Sequence, residues 1–173
     1  MEFLDVLDIN GNKTGEVLDR DTIHNNNVMH LEVYCVIINN KKEILLQKRS
    51  VYKKHNPNIY ALTAGHVGTG EDIRSAMVRE LKEELSLDIK EEDLKIYRDK
   101  EIKIREKNSN VSYYFYIICN KKEAEFKLQK EEVAEVKWFS VNELADAIRN
   151  KDPRFVWNED IISFFEIVNT LKI

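Results

Sequence analysis

Gly65-His66-Val67-Gly68-Thr69-Gly70-Glu71-Asp72-Ile73-Arg74-Ser75-Ala76-Met77-Val78-Arg79-Glu80-Leu81-Lys82-Glu83-Glu84-Leu85-Ser86-Leu87 is the stretch on which the fold of this chain turns. From Asp72 to Leu85 apolar residues recur every four positions, at Ile73, Met77, Leu81 and Leu85, which predicts a helix. On a helical wheel Glu80, Glu83 and Glu84 stand i, i+3 and i, i+4 apart, so their carboxylates share one side. Like charges at those spacings repel. Glu80 and Glu84 also fall beside Ala76 and Met77, at the edge of the apolar stripe rather than opposite it. A bound cation removes both conflicts. An oxygen-only donor set suits Mg²⁺ or Mn²⁺ and leaves coordination positions for water and phosphate oxygens.

An isolated Glu-Glu pair is by default a solvated one. Here the preceding loop decides otherwise, because Gly65, Gly68 and Gly70 are three of only five glycines in the chain. They permit a tight turn whose backbone approaches an anion or a metal. Arg79 is placed to hold Glu71 by a paired hydrogen bond and so to fix loop to helix.

Gly65, five residues, Glu71, seven residues, Arg79-Glu80-Leu81, one residue and Glu83-Glu84 resemble the Nudix box, G-x5-E-x7-R-E-U-x-E-E-x-G-U. The second glycine alone departs: it is Ser86, at the helix C-terminus, where glycine eases a left-handed turn. The resemblance implies an α/β/α sandwich with a central mixed sheet. It implies that Glu80, Glu83 and Glu84 bind the metal with the Gly65 carbonyl, and that Glu71 orients Arg79 or reaches the metal through water. Glu83 or Glu84 would take the proton of the attacking water. A base from a later loop is the family's other solution, with Glu131, Glu132 and Glu135 as candidates against the plain reading of a charged strand entry.

Upstream, Arg49, Lys53-Lys54, Pro57, Tyr60 and Ala64-Gly65-His66 are similar to the matching stretch of isopentenyl-diphosphate isomerases in the same superfamily. Arg49 and Lys53 are candidate diphosphate clamps, one bidentate and one a point charge. His24 and His30 precede the first core strand, as in the isomerases, although their spacing differs by one residue. With His66 they are candidates for a second metal site; the hydrogen-bonded structural histidine is the preferred reading. In the isomerases a cysteine precedes the Gly-His, whereas this chain has Ala64, which argues for hydrolysis.

The bulk numbers are consistent with this. The chain has 173 residues, 43% hydrophobic and 34% charged, and a net charge of −4. That balance suits one globular domain over residues 1–173 and gives no general attraction to nucleic acid or an anionic membrane. Cys35 and Cys119 sit in β-rich runs as expected buried thiols, with a cross-strand disulfide left open. The N-terminus has no signal-peptide pattern and no run is long enough to span a bilayer, so a cytoplasmic location is expected. Oligomeric state, a homodimer included, stays open.

Along the chain, Asn10-Gly11-Asn12 predicts a hairpin within about residues 1–22, and Leu31–Ile38 with Ile44–Gln47 a second one. A short strand is expected around Tyr60–Ala64, and longer ones over Leu94–Arg105, Val111–Cys119 and Val133–Phe139. In Tyr113–Tyr116 the aromatic residues read as strand packing more readily than as a stacking platform for a base. Ser140 with Glu143 predicts a capped helix to about Arg149, and a last helix is expected over about residues 159–172. The expected activity is metal-dependent hydrolysis of a small diphosphate such as a nucleoside diphosphate derivative. Isomerisation of isopentenyl diphosphate and a non-catalytic diphosphate-binding module are the alternatives.

Overall fold

The structure is a computed structural model and describes residues 2–156. The helix expected over residues 159–172 lies outside the described residues.

Phe3–Leu7 (β1) and Lys13–Asp19 (β2) pair antiparallel across the Asn10-Gly11-Asn12 turn. The Asp8 carboxylate accepts the Asn10 and Asn12 amides at 2.9 and 2.8 Å. A short helix, Arg20–Asn25 (α1), follows and was not anticipated from the sequence. Its six residues are too few to show a periodicity, yet Asp19 caps it, accepting the Thr22 amide at 3.1 Å.

The larger sheet contains His30–Ile38 (β3), Ile44–Arg49 (β4), Tyr60–Ala61 (β5), Thr63–His66 (β6), Lys95–Lys103 (β7), Asn110–Ile118 (β8) and Val133–Phe139 (β9). Its order is β5-β4-β3-β8-β7, with β6 on β3 and β9 on β4. β3 and β8 run parallel while the other pairs are antiparallel, so the sheet is mixed as expected. The second hairpin is only partly zipped: β3 and β4 share two registered pairs, Ile37↔Leu45 and Ile38↔Ile44, and then diverge. The expected strand around residues 60–64 splits at Leu62, and its second half, β6, takes the vacated edge of β3 from Cys35↔Thr63 to Glu32↔His66. This insertion delivers the glycine loop to the long helix, Ile73–Leu85 (α2).

Strand alternation sorts the two cores. Val33, Cys35 and Ile37 of β3 pack with Met77, Leu81 and Leu85 of α2. Val36 and Ile38 face the other way, onto Leu144 and Ala147 of Val141–Arg149 (α3). The sheet therefore lies between helices, an α/β/α sandwich. Burying Leu81 and Leu85 contributes about 3–6 kcal/mol by transfer of their side chains from water. Repulsion among the helix glutamates is about 0.2–0.5 kcal/mol per pair, so packing decides that α2 forms. Asp72 caps its start, accepting the Arg74 amide at 2.8 Å. Ser86 ends it in the left-handed region at φ 49°, ψ 38°. α3 carries the expected Ser140–Glu143 capping box. Cys35 and Cys119 are both buried and free. Among the described residues no helix is long and apolar enough to cross a membrane.

Candidate active site

β6, the glycine loop and α2 are locked together by one arginine. Arg79 donates from Nε to Glu71 Oε1 and from Nη2 to Glu71 Oε2, each at 2.9 Å. Nη2 also donates to the His66 carbonyl at 3.0 Å, and Nη1 to Glu80 Oε1 at 2.7 Å. Glu71 in turn accepts the Gly68 amide at 2.9 Å, closing the loop onto the helix. The Arg79 bonds, with smaller help from that amide, hold the Glu71 carboxyl below its usual range despite partial burial.

Gly65 lies directly against Glu80: a Cβ there would collide with the Glu80 carboxyl unless that side chain shifted. Burial pushes Glu80 up to about 7 against the pull of Arg79. Glu84 is more enclosed, and burial raises it to about 8, with a Gln47 hydrogen bond opposing and Glu80 and Glu132 adding to the rise. Gln47 Nε2 donates to Glu84 Oε2 at 2.8 Å, while Gln47 Oε1 accepts from Thr63 Oγ1 at 3.2 Å. Glu83 differs from its neighbours; its side chain is 54% exposed and meets Arg79 Nη1 at 3.4 Å. Half-buried Glu80, buried Glu84 and the rim residue Glu83 thus lie close enough on α2 to feel one another's charge, and Glu80 and Glu84 are both pushed toward their neutral forms. An all-oxygen donor set so disposed fits a hard divalent cation.

The basic loop approaches the same place. Arg49 Nε donates to the His55 carbonyl at 3.1 Å, and burial lowers its pKa while Glu84 and Glu132 raise it. Lys53 is not a free clamp: its ammonium is paired with Glu132, and its side chain is only 16% exposed. Of the later-loop carboxylates, Glu132 is the one whose charge Glu84 feels. Glu135 bonds instead with Tyr60 and Lys48, and Glu131 is exposed. The Gln129 amide donates to the Glu84 carbonyl at 3.1 Å, which seats this loop on the end of α2.

On the opposite face, α1, β3 and β6 bring His24, His30 and His66 together, with ring centroids 5.0–5.3 Å apart. One ligand atom from each lies within 4.8 Å of the others. His24 Nε2 and His66 Nε2 are 3.0 Å apart. His30 Nδ1 lies 2.9 Å from the Val28 carbonyl and Nε2 lies 3.3 Å from Glu32 Oε1, an acceptor on each side of the ring. Burial and the neighbouring cations leave His66 uncharged, at about 3. Glu32 is buried, which disfavours its charge, but His30, His66 and the Tyr34 hydroxyl bring it down to about 2. Asn110 and Asn108 also donate to it, at 2.6 and 3.1 Å. Each ring has a hydrogen-bonding partner, as expected of structural histidines, and the three nitrogens from three elements are also a donor set that a cation could share. Glu32 was missed in the sequence, although His30, Glu32 and Tyr34 alternate as polar positions within an otherwise apolar strand.

An acidic helix opened by a glycine loop from one strand of a mixed sheet, with that sheet between helices, is the frame on which the candidate site is built. The chain belongs to the Nudix hydrolases: the NUDIX domain model matches residues 28–158. It is 34% identical over 158 residues to a Nudix hydrolase of Clostridium acetobutylicum, covering 87% of this chain and 75% of that one. It is 28% identical over 166 residues to isopentenyl-diphosphate Delta-isomerase 2 of Photorhabdus laumondii, covering 94% and 91%. Among solved structures, a Deinococcus radiodurans protein aligns with a TM-score of 0.70 at 17% identity, over 99% of this chain and 100% of that one, a likeness of fold.

Proposed function

We propose that this Nudix hydrolase cleaves the phosphoanhydride bond of a nucleoside diphosphate derivative or a similar small diphosphate, with Mg²⁺ or Mn²⁺ as cofactor. The observation that carries the reading is the pair on α2, half-buried Glu80 packed against Gly65 and buried Glu84 bonded to Gln47, with proton affinities raised to about 7 and 8. Glu80, Glu83, Glu84 and the Gly65 carbonyl would hold the cation. The chemistry such a cation would supply is charge withdrawal from the phosphates and acidification of water. The protein's own groups do the rest. Arg49 balances phosphate charge from the loop, with Lys53 beside it once drawn from Glu132. Arg79 keeps Glu71 and Glu80 in register. Glu83, exposed at the rim, is suited to accept the proton of the attacking water, and Glu132 is the second carboxylate within reach of that role.

The net charge of −4 supports a small anion held by local cations rather than nucleic acid. Two buried free thiols are consistent with a cytoplasmic setting. The test is a panel of nucleoside diphosphates, nucleotide sugars, dinucleotides and isoprenyl diphosphates with Mg²⁺, identifying phosphate products. Glu83→Gln and Glu84→Gln should each lower turnover at least 100-fold; unchanged turnover in both sinks the reading.

A second reading, isopentenyl-diphosphate isomerisation, is favoured by the histidine cluster and by a relative named as such an isomerase. We propose that His24, His30, His66 and Glu32 hold a transition metal, whichever reaction the enzyme performs. Ala64, where the isomerases carry cysteine, weighs against isomerisation. Formation of the allylic isomer from isopentenyl diphosphate would reverse that preference.

A further inference from the structure

We infer that Gln47 is a positioning residue for the metal site: anchored by Thr63, it holds one oxygen of Glu84 and leaves the carboxylate to serve a divalent cation through the other. The inference rests on the proposal that Glu84 is a metal ligand.

Gln47 lies on β4 and is 3% exposed. It follows the buried apolar run Ile44, Leu45 and Leu46 on the same strand. A methionine would fill the same volume without desolvating a polar group. Both ends of the amide are used. Its oxygen accepts the Thr63 hydroxyl at 3.2 Å, from β6, and its nitrogen donates to Glu84 Oε2 at 2.8 Å, on α2. In this orientation the amide nitrogen faces the Glu84 carboxyl oxygen and the amide oxygen faces the Thr63 hydroxyl, so each end of Gln47 has a partner from a different element. The carboxyl torsion of a glutamate is broad and otherwise weakly set. Here a three-membered chain across β6, β4 and α2 sets it before any cation arrives.

The blander reading is that Gln47 only satisfies a buried carboxylate. The two separate by experiment. Mn²⁺ binding to the full chain is followed by electron paramagnetic resonance for wild type, Gln47→Met, Thr63→Val, Thr63→Ser and Glu84→Gln, with thermal melts of each. Gln47→Met is expected to remain folded and bind Mn²⁺ about 10-fold more weakly, at the lower end of the ~10–100-fold loss seen when an outer-sphere hydrogen bond to a ligand is removed. Thr63→Val should weaken binding by a smaller factor, and Thr63→Ser, which keeps the hydroxyl, should restore it. Wild-type Mn²⁺ affinity in folded Gln47→Met and Thr63→Val overturns the inference. Should Gln47→Met fail to fold, the Thr63→Val and Thr63→Ser pair decides alone. Glu84→Gln is the control: if it binds Mn²⁺ as wild type does, the ligand role of Glu84 fails and the inference falls with it. If it loses Mn²⁺ while the Gln47 and Thr63 variants keep it, only the positioning role fails.

Discussion

Arg79 and Glu71 face each other as fork and carboxylate, joined by two hydrogen bonds of 2.9 Å across the junction of loop and helix. The same guanidinium reaches Glu80 and the His66 carbonyl, so one side chain sets the spacing between loop, strand and helix.

Replacing it with lysine keeps the charge and removes the fork. Arg79→Lys should stay folded, melt a few degrees lower, and lose about 10–100-fold in kcat, the range for removing an orienting partner of a metal ligand. Steady-state kinetics with saturating Mg²⁺ test this; wild-type kcat would mean that Glu71 and Glu80 hold their places unaided.

Gly65→Ala drives a methyl into the Glu80 carboxyl. Overpacking of this kind costs about 1–3 kcal/mol, and the displaced carboxyl should weaken Mn²⁺ binding as well. Denaturant unfolding and Mn²⁺ titration should shift together. A tolerated alanine with full metal affinity would contradict the close approach.

The pH dependence of stability follows from Glu84, raised by burial to about 8, and Glu80, raised to about 7. Between an unfolded value of about 4.5 and those values the folded state binds more protons, so each contribution is present at low pH and is lost as pH rises through the folded pKa. His66, depressed to about 3, acts oppositely: its folded form stays neutral, so stability rises with pH up to about 6.5 and no further. Metal-free protein should therefore lose thermal stability from about pH 6.5 to pH 8.5. Added Mg²⁺ should give its largest increase in melting temperature at the top of that range. An equal increase at every pH would mean that the buried glutamates do not titrate there.

Co²⁺ is a spectroscopic probe for the histidine cluster, because nitrogen ligands give it visible absorption that a carboxylate-only site in α2 would not match. Wild type should bind Co²⁺ with such bands, and His30→Gln should abolish them while leaving Mn²⁺ binding at the glutamates intact. A spectrum indifferent to His30→Gln would remove the second site.

Ser86 occupies a left-handed position that glycine adopts without strain. Ser86→Gly should stabilise the protein by about 1 kcal/mol, seen as a melting temperature about 2–4 °C higher, with Mn²⁺ affinity unchanged.

What the sequence revealed, and what it hid, follows the range of the interactions. α2 and the Arg79–Glu71 bond are local, so periodicity and fixed spacing were sufficient to read them, although periodicity counts the Asp72 cap as part of the helix. The Ser140–Glu143 box was equally legible. α1 was too short to declare itself. The parting of β3 from β4 was invisible because it depends on β6, some 20 residues later, entering between them. His24, His30 and His66 could be grouped from the sequence only through the resemblance, because three different elements must assemble before they form a cluster. Gln47 resembled any polar strand residue until Thr63 and Glu84 were seen at its two ends. Lys53 read as an open cation because its partner Glu132 lies far along the chain.

β6 gives consecutive residues to opposite sides of the sheet: Gly65 pairs with Val33 on the α2 side, and His66 with Glu32 on the histidine side. In evolutionary terms the two centres are independent under substitution and inseparable under insertion. A point change at one residue can erase or rebuild one centre and leave the other intact, whereas a one-residue slip in β6 would exchange their facings and ruin both.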